Sequence, residues 1–142
     1  MHPNRFSWAI AVASTIWGAT AAVAQDEPKG FVCKFERGTS QAWSKGRYRS
    51  RPAKPLAMEF AAIDLDGQRA DLVTPDGKGT LRIVRAVGAN HFLEVVAEGY
   101  LNITTIYALD TARGTHPAVH SRHFGLFGEP LVAHYTGTCT AK

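Results

Sequence analysis

Three histidines and a serine near the C-terminus are the residues with the clearest potential for chemistry. They are His116, His120, Ser121 and His123. On a helix, their spacing would place the histidines on one face, as the ligands of a metal ion are often placed. Pro117 and the strand-like sequence around it argue against a helix, and in a strand His120 and His123 point to opposite sides. We therefore predict no metal site and no cofactor.

Ser121 and His123 also have the residue types of a nucleophile and its general base. A catalytic serine needs a base within hydrogen-bond reach, a group that orients the base, and an oxyanion site. Ser121 lacks the G-x-S-x-G turn that presents such a serine in one large class of hydrolases. We predict no catalytic residues and no enzymatic activity.

The last two strand-like segments, 118–124 and 130–139, are predicted to form a hairpin. With a loop at 125–129, His120 lies opposite His134, and the more apolar face points inward. That face collects Val119, Ser121, His123, Leu131, Ala133 and Tyr135, and the outer face collects His120, Arg122, His134 and Thr136. A shift of one residue would change which side chains share a face.

A basic run has the most unusual composition in the chain. Its cations are Lys45, Arg47, Arg49, Arg51 and Lys54, and no acidic residue interrupts them. In an extended segment Arg47, Arg49 and Arg51 would share one face, with Trp43 and Tyr48 nearby. Guanidinium groups bind acid groups in a forked geometry, so Arg47, Arg49 and Arg51 are candidate ligand residues of a binding surface for an anionic envelope component. The other interpretation, which the polar composition of the segment favours, is a solvated loop that keeps the protein soluble.

Arg85 is a fourth candidate ligand-binding residue. With a turn at residues 88–90, it falls on the face that carries Leu81, Ile83, Leu93 and Val95. An arginine on an apolar face either extends to the rim of the core or pairs with an acid group inside it. A small acidic ligand in a cup-shaped site would supply such a group.

Residues 1–24 have the pattern of a secretory signal peptide. Arg5 provides a positive charge, residues 9–24 are apolar and small, and residues 22–24 form an A-x-A cleavage pattern. The apolar run is short for a membrane span, so we predict cleavage and no transmembrane segment afterwards. The mature chain, residues 25–142, is then periplasmic or secreted. For that reason we predict no nucleic acid partner, despite the net charge of +4.

The chain contains two cysteines, Cys33 and Cys139, and both lie in strand-like runs near the ends of the mature chain. Exported proteins fold in oxidising compartments, where paired cysteines form disulfides. We predict a disulfide that joins the first strand to the last. The alternative is two free thiols.

Strand-like segments with short connections fill most of the mature chain. Alternating or β-branched sequence marks 31–36, 56–65, 68–73, 80–87, 91–98, 100–109, 118–124 and 130–139, whereas 38–55 reads as irregular. About eight strands in one domain predict an all-β fold, an antiparallel meander closed as a small barrel. A β-sandwich is the alternative.

The chain ends in three short motifs. They are residues 104–107 (TTIY), residues 118–123 (AVHSRH) and residues 135–139 (YTGTC). Together with the early Cys33, these motifs resemble an uncharacterised family of small secreted proteins from Gram-negative bacteria, whose members share an HSRH segment and a terminal Y-x-G-x-C. The resemblance implies a compact secreted β domain and brings no activity with it.

These features favour a non-enzymatic binding protein for a small ligand, an anionic envelope component or a protein. An inhibitor of an exogenous enzyme such as a lysozyme is the alternative, by analogy of architecture. An enzyme is a third alternative. A deep apolar cavity would favour ligand binding, whereas a protruding loop without a cavity would favour inhibition.

Overall fold

The computed structural model describes residues 27–75, 77–96, 99–125 and 128–142, so the predicted signal peptide lies outside the described residues. These residues form nine β-strands, and no α-helix occurs among them. In chain order the strands are β1 (Phe31–Ser44), β2 (Arg47–Pro52), β3 (Leu56–Asp64), β4 (Arg69–Thr74), β5 (Gly77–Ala86), β6 (Ala89–Val96), β7 (Tyr100–Tyr107), β8 (His116–Phe124) and β9 (Leu131–Ala141). In the described part of the chain, no helix has the length and hydropathy to cross a membrane.

The strands close into an antiparallel barrel. Each strand from β3 to β8 pairs with the next one, β3 also pairs with β1, and β9 pairs back onto β1. Eight strands therefore form the closed barrel, and β2 is a ninth strand attached to β1. Closure removes the exposed edges that short antiparallel strands otherwise present. The predicted all-β barrel is confirmed, and the sandwich alternative is wrong.

The segment 38–55, predicted to be irregular, forms most of a β-hairpin. β1 continues to Ser44, which pairs with Arg47 at the start of β2. The two-residue turn between them, Lys45-Gly46, has φ values of 51° and 77°. Positive φ at both turn residues is the conformation that matches the twist of the two flanking strands.

A β-bulge in β1 explains why the sequence pattern does not predict this hairpin. The register against β9 shifts between Lys34 and Arg37. Cys33 is buried before the shift and Phe35 within it, and after it Gly38 lies opposite the buried Tyr135. Because opposed residues share a face, the inward positions of β1 change from odd to even numbers at the bulge. The alternation of inward and outward side chains that marks the start of β1 is therefore interrupted at the bulge.

Aromatic rings fill the middle of the barrel. Phe35 and Phe60 are 0% exposed and Phe92 is 1% exposed, and the ring centroids of Phe60 and Phe92 are 5.0 Å apart. Each such burial contributes about 1.5–3 kcal/mol to stability. The filled centre separates the two ends of the barrel.

The pairing of β1 with β9 closes the barrel. Cys33 and Cys139 lie directly opposite each other there and are joined by a disulfide, as predicted. Gly137 lies beside the bulge, where a Cβ atom would overlap the carbonyl oxygen of Lys34. Glycine therefore allows the two backbones to approach at this point.

Candidate functional site

The β1–β2 hairpin places Arg47, Arg49 and Arg51 on one face. All residues of β2 are exposed, and Arg51 lies opposite Ser40 of β1. The Nε–H of Arg51 donates a hydrogen bond of 3.3 Å to Ser40 Oγ. Arg49 and Arg47 follow at alternate positions toward the hairpin turn, in steps of about 7 Å. The basic run is therefore an ordered strand with its guanidinium groups on a common side.

This face continues the inner surface of the barrel. Ser40 also lies opposite the buried Ala133 of β9, and Ala133 lies opposite Arg122 of β8. Opposed residues share a face, so Arg51 and Arg122 belong to one row across β2, β1, β9 and β8. We define the arginine mouth as the sheet face that carries Arg47, Arg49, Arg51 and Arg122, of which Arg51 and Arg122 also line a cavity.

A cavity of about 460 Å³ lies at the base of the arginine mouth. Sites for small molecules have volumes in this range. Its lining divides into a polar and cationic set, Ser40, Arg51, Lys54 and Arg122, and an apolar set that includes Phe124, Leu131, Ala133 and Tyr135. The cavity therefore offers positive charge and apolar surface side by side.

Arg122 is half-buried and held by two neighbours. Its Nε–H donates a hydrogen bond of 3.1 Å to His120 Nε2, and its guanidinium carbon lies 5.9 Å from the centroid of the Tyr135 ring. A guanidinium fixed at Nε and placed over an aromatic ring presents its two terminal nitrogens, Nη1 and Nη2, as a fork for an acid group.

His120 is a buried acceptor for Arg122. It is 1% exposed, and its Nδ1 lies 2.8 Å from Thr104 Oγ1. Because Nε2 accepts the hydrogen bond from Arg122, the neutral ring carries its proton on Nδ1 and donates it to Thr104. Burial, and next the positive charge of Arg122, lower the pKa of His120 to about 4. The imidazole is therefore neutral near pH 7.

The cations of the arginine mouth form no ion pair with the acids that the structure describes. No carboxylate of the described residues lies within 4.0 Å of Arg47, Arg49, Arg51 or Arg122. Their charge is therefore available to an anion from solution.

The inner row continues from Arg122 to Asn102 of β7 and Glu94 of β6. Asn102 Nδ2 donates a hydrogen bond of 2.7 Å to Glu94 Oε2. Asn102 Oδ1 is buried and has no hydrogen-bond partner among the described residues. A buried acceptor without a partner typically costs about 1–3 kcal/mol, and such acceptors are uncommon in stable cores. The inner row beside Arg122 therefore contains a polar group that the packing of the barrel does not account for.

Comparison of the chain with protein-family models, curated proteins and solved structures found no match. The resemblance to a secreted Gram-negative family therefore stays a prediction. The Cys33–Cys139 disulfide is compatible with that family but does not identify it. The chemistry of the arginine mouth is the basis for a function.

Arg85, the fourth candidate, is separated from the other three at the opposite end of the barrel. It forms ion pairs with Glu27 at 3.2 Å and with Asp66 at 3.9 Å. A cavity of about 260 Å³ lies beside it, lined also by Phe31 and His116. Because two carboxylates already face Arg85, this end attracts an anion less strongly than the arginine mouth does.

The neighbours predicted for Arg85 are partly wrong. The turn is Val87-Gly88 and not 88–90, so Ile83 lies opposite Phe92. Leu93 and Val95 then belong to the outer face, and Val95 is 72% exposed. A connection one residue shorter than predicted moves every side chain of the following strand to the other side.

The predicted faces of β8 are also wrong, whereas those of β9 are right. Phe124 pairs with Leu131 and not with Pro130, so His120 lies opposite Tyr135. His120 and Arg122 therefore point inward, and the side chains predicted inside, Val119, Ser121 and His123, point outward. The cause is a connection one residue longer than predicted.

The histidines are distributed over both faces and both ends. His123 and His134, and not His120 and His134, form the surface pair, with ring centroids 6.3 Å apart. His116 Nδ1 lies 2.8 Å from the carbonyl oxygen of Tyr107 at the opposite end. The described residues contain no group of three or more His, Cys, Asp or Glu side chains placed to share a metal ion.

Sequence reasoning did not find Arg122, His120 or Lys54 as residues of the site. The signal for the first two is the alternation in β8, where Ala118, His120, Arg122 and Phe124 share a face. That signal has two opposite interpretations until the register with β9 is known. For Lys54, which follows β2, the sequence contains no signal beyond its membership of the basic run.

Proposed function

We propose that this protein is an exported, non-enzymatic binding domain whose arginine mouth binds anionic components of the bacterial envelope. The observation that carries the proposal is a set of four arginines on one sheet face, two of which (Arg51 and Arg122) line the cavity, with no carboxylate of the described residues within 4.0 Å. Guanidinium groups without an acidic neighbour attract anions and bind phosphate or carboxylate groups in pairs of hydrogen bonds. The proposal includes no cofactor and no nucleic acid partner.

A periplasmic or secreted location is part of this proposal. The signal-like pattern of residues 1–24 supports it, and so does the Cys33–Cys139 disulfide, because disulfides persist in oxidising compartments. An envelope anion is the partner that such a location supplies.

The test is binding to vesicles of phosphatidylglycerol and phosphatidylcholine, with pure phosphatidylcholine vesicles as the neutral reference. We expect the protein to cosediment with the anionic vesicles at low salt and to be released as salt is added, because exposed charges are screened over about 8–10 Å near physiological ionic strength. Replacing Arg47, Arg49 and Arg51 together with Ser should abolish cosedimentation. The midpoint of thermal unfolding should change little, because all three side chains are exposed.

The matched control replaces Lys34, Arg37 and Arg82 together with Ser. These exposed cations lie on the outer face of β1 and β5, so this variant loses the same net charge without changing the arginine mouth. We expect it to bind as the parent does. Equal losses of vesicle binding in the two triple variants would show that net charge alone attracts the protein to the vesicles. If the parent protein binds no anionic vesicle at low salt, the proposed function is wrong.

Inhibition of an exogenous enzyme is the second candidate function, and one observation favours it. The outer face of the β1–β2 hairpin carries Trp43 and Tyr48, which are 39% and 51% exposed and pack edge to face with centroids 5.0 Å apart. Exposed aromatic residues are enriched where proteins bind proteins. A lysozyme assay with purified protein separates the two functions, because replacing Trp43 and Tyr48 with Ala should abolish inhibition and leave vesicle binding intact.

A further inference from the structure

We infer that the ligand of the arginine mouth is a small amphiphilic acid, a carboxylate or phosphate monoester attached to an acyl or other apolar body. Arg122 binds the acid group, and His120 is the positioning residue for Arg122. This inference rests on the proposed function and adds the ligand class and the residues that select it.

The lining of the cavity indicates the amphiphilic character. The guanidinium groups of Arg51 and Arg122 meet the apolar side chains of Phe124, Leu131 and Tyr135 around one space of about 460 Å³. Inorganic phosphate would use the cations and leave the apolar wall exposed to water. An uncharged apolar molecule would leave the cations unpaired. A molecule with one acid group and one apolar body satisfies both parts of the lining.

The filled centre of the barrel limits the size of this ligand. Phe35 is 0% exposed and His120 is 1% exposed below the mouth, with ring centroids 5.7 Å apart. A long chain therefore cannot descend along the barrel axis. The apolar body lies instead against the wall that Phe124 and Leu131 provide, which suits a short acyl chain.

Arg122 differs from the arginines of β2 in how firmly it is held. The hydrogen bond of 3.1 Å to His120 and the contact with Tyr135 order its guanidinium before any ligand arrives. Less rotamer freedom is then lost on binding, so the acid group gains affinity and a defined position. His120 is in turn held by Thr104, whose hydroxyl oxygen lies 2.8 Å from Nδ1 and accepts its proton in the tautomer that accepts from Arg122.

The test is isothermal titration of the full mature chain with octanoate and with octyl phosphate, at concentrations where neither forms micelles. Octanol lacks the acid group and acetate lacks the apolar body. We expect saturable one-site binding of at least one of the two acids, and affinities at least tenfold weaker for octanol and acetate. The stronger of the two acids identifies the source of the acid group. No saturable binding of either acid, or equal affinity for octanol, would overturn the inference.

Arg122→Gln should lower the affinity for the acid at least tenfold, because a hydrogen-bonded charge is removed from the cavity. Arg82→Gln is the matched control, since Arg82 is exposed on β5 and faces away from the arginine mouth. Unchanged affinity in Arg122→Gln would refute the role of Arg122. Vesicle binding that survives in the parent while octanoate and octyl phosphate fail would leave the proposed function standing without this inference.

The test of His120 must distinguish positioning of Arg122 from a purely structural contribution to the fold. In His120→Phe the ring volume stays and the acceptor is lost, whereas His120→Gln keeps an acceptor for Arg122. We expect the Arg122 Nε–H resonance to move in the Phe variant, together with at least a tenfold loss of affinity, and Gln to restore part of both. A folded Phe variant with unchanged affinity would refute the positioning role. Where the Phe variant does not fold, a folded Gln variant that shows no measurable affinity for the acid would refute it.

Discussion

His120 connects the pH dependence of stability to the arginine mouth. Its pKa is lowered to about 4, first by burial and next by the charge of Arg122. The unfolded chain has a histidine of ordinary pKa, near 6.5, so between pH 6.5 and 4 the unfolded state binds more protons than the folded state. The contribution of His120 to the free energy of unfolding is therefore fully present above pH 6.5 and is lost as the pH falls toward 4.

We predict that the free energy of unfolding decreases by roughly 3 kcal/mol between pH 7 and pH 4, since one pKa unit corresponds to about 1.4 kcal/mol. Urea unfolding at several pH values measures this slope. Asp64 and Asp110 do not obscure it, because hydrogen bonds and adjacent arginines lower their pKa values from 3.8, and their contributions are lost at more acid pH. His120→Gln should flatten the slope, whereas His134→Gln, at an exposed position, should keep it. A slope that persists in His120→Gln would contradict the assignment.

Individual residues differ in how far the sequence defines their roles. Two cysteines have one possible intramolecular pairing, so the Cys33–Cys139 bond is predictable from the cysteine count together with the signal-like pattern of residues 1–24. Arg122 is different, because its direction depends on the length of a connection between two strands. One residue in that connection decides whether its side chain lies in the arginine mouth or on the outer surface.

At the scale of elements, β1 is the strand on which the site depends. Its first part lies in the barrel wall, and its second part carries β2 and hence three of the arginines. The bulge between Lys34 and Arg37 bends and twists a strand locally, which lets one strand serve both purposes. The sequence around the bulge shows no constant alternation, so a strand of this length is not predictable from periodicity.

Gly137 is the partner of the bulge, and its replacement tests the importance of that geometry. We predict that Gly137→Ala destabilises the protein by about 2 kcal/mol or more, because a Cβ atom there overlaps the backbone of Lys34. Chemical unfolding of the parent and the variant measures the difference. Gly125→Ala is the control, since a Cβ atom at Gly125 meets no atom within 4 Å. Equal stability of the two variants would show that β1 and β9 adjust at the bulge without cost.

At the scale of the whole molecule, the barrel was predictable and the positions of its charges were not. Short strands of β-branched and aromatic residues with tight turns indicate a closed antiparallel sheet, because all of them need neighbours on both sides. The net charge of +4 does not show where on the barrel the charges lie. The fold places four arginines that have no carboxylate of the described residues within 4.0 Å at one end, and pairs Arg85 with acids at the other.

Barrel closure joins strands that are far apart in the chain, and the disulfide acts at this closure. Cys33 and Cys139 are separated by 106 residues, and both are 0% exposed. On the chain-entropy model, a crosslink that closes a loop of this length stabilises a protein by up to about 4–5 kcal/mol, because it restricts the unfolded chain. The hydrogen bonds between β1 and β9 do not restrict the unfolded chain, so they cannot replace this effect.

We predict that replacing both cysteines with Ala lowers the midpoint of urea unfolding strongly and leaves a folded barrel, because β1 and β9 still pair on both sides of the bulge. Reduction of the parent should give a similar decrease, which separates loss of the crosslink from loss of the sulfur atoms. The arginine mouth lies toward the other end of β1, so vesicle binding should survive in the variant wherever it is folded. If reduced and oxidised protein unfold at the same urea concentration, the disulfide adds nothing to the stability of the barrel.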